Sequence, residues 1–303
     1  RALNIPKEIG ERIRASWDAD ELSLYGRFDF ILAKDGTPKI LEFNADTPTS
    51  LLEASVIQWQ WKEDVFPECD QFNGIHEGLV QSWKDIFPKK GEIYFAGALE
   101  NNEDTGTLQY LASTAMEAGF STRVLDMQAL DLQNGRFFDP AGELVNRCFK
   151  LYPWEWMVDE SPDGCLAEME WLEPIWKLVM SNKAILATLY ELFPDSPYVL
   201  PCYLSRPRSG LFCKKPVFSR EGHNVSVVDI RNWEEHVRIA ETEGDYNTGA
   251  YVYQEYVEPT VYSGRYPVIG SWIIGGEAAG IGIRENRMEV TDNLSEFVPH
   301  IIG

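Results

Sequence analysis

The sequence predicts a mixed chain, α/β passing into α+β, and three observations carry that reading. Through the first 180 residues, stretches of helical period ("TSLLEASVIQWQWKEDVF", "NGIHEGLVQSWKDIF", "TLQYLASTAMEAG") alternate with buried-strand runs such as "EIYFAGAL". Beyond them the chain strings strands together, "AYVYQEYVEP" and "YPVIGSWIIGGEAAGIGIRE" among them. Over 303 residues, 44% hydrophobic and 25% charged is ordinary globular composition, which leaves room for one or two cores.

In chain order, residues 6–18 read as a short helix. "YGRFDFILAKDGTPKILEFNAD", residues 25–46, reads as a hairpin, because Asp35-Gly36 favours a two-residue turn; Lys34 then pairs with Thr37, Asp29 faces Glu42 and Arg27 faces Asn44. Two helices follow, then the strand "EIYFAGAL", a helix ending at Gly119, and strand or strand-to-turn at "STRVLDMQAL". From Leu151 to Pro174 the chain is too rich in Trp for a linker and is expected to pack on a neighbouring element. "SNKAILATLYELFPD" is a helix that stops before Pro194, with Ser181 or Asn182 as its cap. "GLFCKKPVFSREGHNVSVVDI" gives strand, polar loop and strand, followed by a helix around "NWEEHVRIAETEG". The last strands include a pair joined by Gly275-Gly276, and the change of character near residue 180 marks a subdomain boundary.

A net charge of −21, without clustered Lys and Arg, argues against a broad nucleic-acid surface. It suits a small cationic partner, or simply solubility. Five dispersed cysteines with no C-x-x-C cannot all pair internally and fit a reducing cytoplasm. No run approaches the roughly 18 apolar residues of a membrane span. Arg1 in place of a Met is read as the sign of a missing N-terminal part.

Side chains alternate along strands, so Arg27, Asp29, Glu42 and Asn44 share one face of the hairpin, and Phe28, Phe30, Leu41 and Phe43 the other. Like charges directly opposed destabilise a sheet, so the facing acids need a partner. Mg²⁺ accepts carboxylate and amide oxygens, and Arg27 could meet a phosphate bidentately. A solvated outer face with Arg27 screening the acids is an equal reading; a core under the three Phe residues would tip the choice toward a ligand cleft. In the second half, Lys214 and Lys215 precede a loop with Ser219, Arg220, Gly222 and Asn224. Its N–H groups could surround phosphates, though the stretch by itself reads more readily as an exposed hairpin turn and no Walker or G-x-G-x-x-G motif is present.

Taken together and in order, "GRFDF", "EFNADTPTS", "LLEASVIQW", "KLYPWEW", "WLEPIWK", "SNKAIL", "KKPVFSREGHNV", "YQEYV" and "GIGIREN…TDNLSEFVPH" resemble the glutathionylspermidine synthase family over nearly the whole chain. The resemblance is strongest to stand-alone acid–amine ligases that lack the family's amidase half. It implies an ATP-grasp fold and a cytoplasmic, ATP- and Mg²⁺-dependent C–N ligase that forms an amide through an acyl phosphate. By matched motif, Asp29, Glu42 and Asn44 hold Mg²⁺, Arg27 and Arg284 steady the transferring phosphoryl group, and Lys183 and Lys215 meet ATP phosphates. Ser219 and Gly222 belong to a loop closing over them, Gln254, Glu255 and Tyr256 meet adenine, and Thr47 and Thr49 contact a glutathione-like acid. Metal ligands ahead of the ATP lysines match the family's permuted order. Residues 1–180 then form the N-terminal part of the synthetase, with the metal hairpin and substrate region, and residues 181–303 the nucleotide-binding subdomain, lid loop and return to the core.

The chemistry accounts for these residue types: a phosphorylated carboxylate can be attacked by an amine, so no nucleophilic side chain is required. A polyamine-like substrate favours acidic walls, for which Glu103 and Asp104 are candidates, a solvated loop being the other reading. A non-catalytic nucleotide-binding module of the same fold is the alternative function.

Overall fold

The computed structural model describes residues 5–220, 222–239, 249–288 and 295–303. Helix α1 (Lys7–Asp18) precedes the hairpin strands β1 (Tyr25–Leu32) and β2 (Pro38–Asn44). A π-helical segment, Glu53–Ile57, runs into α2 (Gln58–Val65), and α3 (Ile75–Ile86) follows. Strand β3 (Glu92–Gly97), α4 (Asn102–Glu117) and β4 (Ser121–Asp126) form a parallel crossover unit. Asn101 caps α4 by accepting from the Glu103 N–H at 2.9 Å, and Gly119, at φ 96°, carries the chain out of the helix. Short strands β5 (Asp131–Gln133), β6 (Arg136–Phe138) and β7 (Leu144–Val145) lead to β8 (Arg147–Leu151). Helices α5 (Trp154–Glu160) and α6 (Pro162–Cys165), β9 (Glu170–Leu172), α7 (Lys177–Ser181) and α8 (Ile185–Leu192) come next. The rest is strand: β10 (Cys202–Tyr203), β11 (Gly210–Pro216), β12 (Ser226–Arg231), β13 (Glu234–Ile239), β14 (Tyr251–Glu255), β15 (Tyr266–Ile274), β16 (Glu277–Asn286) and β17 (Glu296–Val298).

Two five-stranded antiparallel sheets decide the architecture, in the orders β17-β16-β15-β1-β2 and β10-β14-β11-β12-β13. A parallel sheet, β4-β3-β8-β9, and a small one, β5-β6-β7, complete the set. The first sheet draws strands from both sides of residue 180, so the hairpin is closed by the end of the chain. Trp83, Phe95, Phe149, Tyr25 and Trp272 fill the core it shares with the parallel sheet, and Tyr25 packs the start of β1 against Phe149 and Trp272. The Trp-rich stretch packs as expected: Trp154 and Trp171 are buried together, ring centroids 6.0 Å apart. Neither Ser181 nor Asn182 caps α8, whose N-cap is Ala184 with no side-chain cap; Asn182 instead closes the turn just before it, accepting from the Ala184 N–H at 2.9 Å.

Two expectations need correction, and one point the sequence left open is decided. The predicted helix around "NWEEHVRIAETEG" is strand β13 as far as Ile239; the remainder lies outside the described residues. Asn232 and Trp233, at φ 52° and 68°, make a tight turn that folds the segment back on β12, whose ladder satisfies its backbone. The first hairpin turns through three residues, with Ala33 N–H donating to Thr37 O at 3.0 Å and Gly36 at φ 82°. Near the turn Leu32 therefore pairs with Pro38 and Phe30 with Ile40; a bulge then absorbs Leu41 and restores Asp29 opposite Glu42. Finally, Phe28, Phe30 and Phe43 form a half-buried aromatic face rather than a core, with Phe28 and Phe43 stacked at 4.1 Å. Arg27 and Asp29 on the opposite face are the buried ones, 5% and 3% exposed.

Candidate active site

A cleft of about 710 Å³ opens between the two five-stranded sheets, and the polar face of the hairpin is its floor. Arg27 Nε and Nη2 donate to Asp29 Oδ1 and Oδ2 at 2.6 and 3.0 Å, and its Nη1 donates to Thr49 O at 2.5 Å. The Trp272 ring lies 5.7 Å from the guanidinium. From β16, Arg284 Nη2 donates to the same Asp29 Oδ2 at 3.1 Å. Burial opposes the charge on Arg27, but Asp29 overrides it and raises the pKa; burial and the neighbouring Arg27 lower that of Arg284. Across the rung, Glu42 Oε2 lies 3.0 Å from Lys183 Nζ. Burial works against the Glu42 carboxylate, yet Lys183 and Lys215 outweigh it and bring its pKa down from 4.5 to about 2. Leu41, swung round by the bulge, lines the cleft beside Glu42.

The opposed acids are thus balanced by the chain's own cations, and their repulsion alone does not require a metal. The donor set nonetheless fits one. Asn44 Nδ2 donates to Asp29 Oδ2 at 3.2 Å and to Glu42 Oε1 at 3.3 Å, so the amide sits between one oxygen of each acid. Turned over, its Oδ1 would join those two oxygens, giving the hard oxygen set that Mg²⁺ takes with waters and phosphates. Among the described residues no three or more His, Cys, Asp or Glu gather as a metal cluster, so protein oxygens by themselves make only a partial shell.

On the second sheet, Lys215 points into the cleft, donating to Gln254 Oε1 at 2.8 Å and Leu41 O at 3.0 Å. Lys214, one residue away and therefore on the other face, pairs with Glu235 at 2.7 Å. Lys183 also donates to Ser219 O at 2.7 Å. Gln254, Glu255, Tyr256 and Gly222, the last at φ 70°, line the cleft. Ser219 does not: its hydroxyl is buried without a hydrogen-bond partner among the described residues, so only its carbonyl reaches the site's chemistry. Glu221 lies outside the described residues.

Thr47 and Thr49 line the wall after β2, and Glu103 and Asp104, in the first turn of α4, face the same space instead of a solvated loop. Sequence reasoning missed four features. Gly270 stands opposite Asp29 on β15, and a Cβ there would lie 2.7 Å from Arg27 Cδ. Glu53, on the π-helical segment, adds an acid to the lining. Arg220 spans the cleft to Thr47 and Glu155. Behind the wall, Lys150 Nζ meets Asp46 Oδ1 at 2.7 Å with both side chains fully enclosed; burial raises the Asp46 pKa and lowers that of Lys150, and each group's attraction for the other works against that shift. The acid immediately before Thr47, within "EFNADTPTS", was the one signal that could have pointed there.

A family model described as "Glutathionylspermidine synthase preATP-grasp" matches residues 1–303, the whole chain. The chain belongs to the glutathionylspermidine synthase family. This family member is 39% identical over 303 residues to a Haemophilus influenzae protein provisionally named an acid–amine ligase, covering 95% of this chain and 77% of that one. It is 28% identical over 331 residues to trypanothione synthetase of Crithidia fasciculata, covering 98% of this chain and 50% of the relative, so it spans half of that enzyme's length. Both names are those of C–N ligases, the enzyme class of the family. Among solved structures, a provisionally assigned γ-glutamylcysteine synthetase from Methylobacillus flagellatus superposes with a TM-score of 0.57 at 9% identity, over 97% of this chain and 84% of that one. That likeness shows a shared mixed α/β fold.

Proposed function

We propose that this chain is an ATP- and Mg²⁺-dependent carboxylate–amine ligase that joins a glutathione-like peptide acid to a polyamine-like amine, on an ATP-grasp fold with the metal ligands ahead of the ATP lysines. The observation that carries the reading is convergence. Asp29, Glu42 and Asn44, the pair Arg27 and Arg284, and the pair Lys183 and Lys215 meet in one cleft of a family member. A carboxylate oxygen of the acid attacks the γ-phosphorus and ADP leaves; the amine nitrogen then attacks the acyl carbon, inorganic phosphate leaves and a proton is released. Mg²⁺ held by Asp29, Glu42 and Asn44 would neutralise phosphate oxygens.

The chain's own residues do the rest. Lys183 and Lys215 exchange Glu42, Ser219 O and Gln254 for phosphate oxygens, while Arg27 and Arg284 face the charge that spreads during transfer. Gln254, Glu255 and Tyr256 bound the adenine, Thr47 and Thr49 meet the acid, and Glu103 and Asp104 attract the amine's cationic remainder. Five dispersed cysteines with no C-x-x-C accord with a cytoplasmic setting.

The test is ADP release with ATP and Mg²⁺ across a matrix of acids (glutathione, γ-glutamyl peptides, amino acids) and amines (spermidine, putrescine, amino acids), with mass spectrometry of the products. ADP formation that depends on one acid–amine pair and yields their dehydrated conjugate is expected. Tight nucleotide binding with no turnover anywhere in the matrix would instead make the chain a nucleotide-binding module.

A further inference from the structure

We propose that Glu155 is a positioning residue of the reaction: by holding Arg220, which follows β11, it ties that end of the second sheet to the acid-side wall and links the phosphate side of the cleft to the acid site. Arg220 leaves the second sheet and crosses the cleft. Its Nη2 donates to Glu155 Oε1 at 2.7 Å, its Nη1 donates to Thr47 Oγ1, and the guanidinium lies 5.8 Å from the Trp156 ring. One side chain thus bridges the side of the cleft that faces nucleotide and a wall that faces acid.

The two receiving points share one mount. Thr47 follows Asp46 and Glu155 follows Trp154, and the Trp154 N–H donates to Asp46 Oδ2 at 2.8 Å while Lys150 grips Asp46 Oδ1. Arg220 therefore lands on a platform fixed by a buried ion pair rather than on two independent elements. Glu155 Oε2 is buried without a hydrogen-bond partner among the described residues. A carboxylate enclosed in that way is costly unless a cation faces it, and Arg220 is that cation. Local demands of α5 do not explain the residue: a first-turn acid suits the helix dipole equally well when left in water. Because Arg220 shares Thr47 with any acid bound at that wall, docking of Arg220 and acid occupancy act on the same guanidinium.

The kinetic arm of the test rests on the ligase reading; the proteolytic arm does not. Limited trypsinolysis of the whole chain, with cleavage after Arg220 quantified by mass spectrometry against other sites, is compared for wild type, Glu155→Gln and Glu155→Asp. Cleavage of an opened segment follows its opening equilibrium, so Glu155→Gln is expected to speed it by at least about tenfold, with Glu155→Asp in between. In turnover, wild type is expected to form about one ADP per conjugate and Glu155→Gln distinctly more, as water reaches the transferring phosphoryl group. Unchanged cleavage after Arg220 overturns the docking role. Faster cleavage with the ADP-to-conjugate ratio still at one overturns the link between the sites. A wild type that makes no conjugate defeats the ligase reading, and the cleavage rates still decide the docking.

Discussion

Replacing Gly270 with alanine isolates the placement of Arg27 from its chemistry. The backbone at Gly270 accommodates any residue, but the new methyl would lie 2.7 Å from Arg27 Cδ and 3.3 Å from its Cγ and Nε. The side chain must retreat by roughly 0.7 Å to regain ordinary contact, while Asp29, Thr49 O and Trp272 hold it where it is. Overpacking of this size costs about 1–3 kcal/mol of stability, so the fold survives. A displacement approaching 1 Å at a group that faces the transferring phosphoryl costs on the order of 10²-fold in rate, about 2.7 kcal/mol of barrier. Steady-state ADP release with the productive acid–amine pair is expected to show kcat lower by that factor, with the KM for ATP changed far less. A Gly270→Ala enzyme within threefold of wild-type kcat would refute the claim that Arg27 acts from this position.

Lys150→Met leaves the Asp46 carboxyl enclosed without its cation, and a loss of about 3–5 kcal/mol is expected in urea unfolding; an unchanged midpoint would show the pair to be dispensable. Glu42 carries a pH signature. Its pKa is depressed from 4.5 to about 2 in the folded chain, so its contribution is fully present above pH 4.5 and is lost as pH falls toward 2. Glu42→Gln is expected to flatten the fall of unfolding free energy across that window, and an identical slope in the variant would contradict the ion pairing with Lys183 and Lys215. Ser219→Ala is expected to keep ATP turnover within about threefold, because the hydroxyl does not face the cleft; a loss of tenfold or more would put the side chain back in the site.

Strand alternation is local, so the sharing of one face by Arg27, Asp29, Glu42 and Asn44 was legible from residues 25–46 alone. The facing of Asp29 and Glu42 was legible for a reason only half right: a three-residue turn shifts the register by one, and the bulge at Leu41 shifts it back. Glycine turns and buried-strand runs were readable because each is settled within a few residues by backbone geometry. Segment 234–239 was misread because its residues suit helix or strand, and the choice fell to the ladder offered by β12. Which face of the hairpin is buried was likewise undetermined locally. The three Phe residues are the more apolar set, yet Arg27 and Asp29 are the enclosed pair, Arg27 under Trp272 and Thr49, and Asp29 between the guanidiniums of Arg27 and Arg284. The gap at Gly270, the Asp46–Lys150 mount and the reach of Arg220 to Glu155 join residues many positions apart. Residue types and local pattern set out the chemistry of the cleft; the pairing of distant strands and the desolvation that follows decided where each charge could stand.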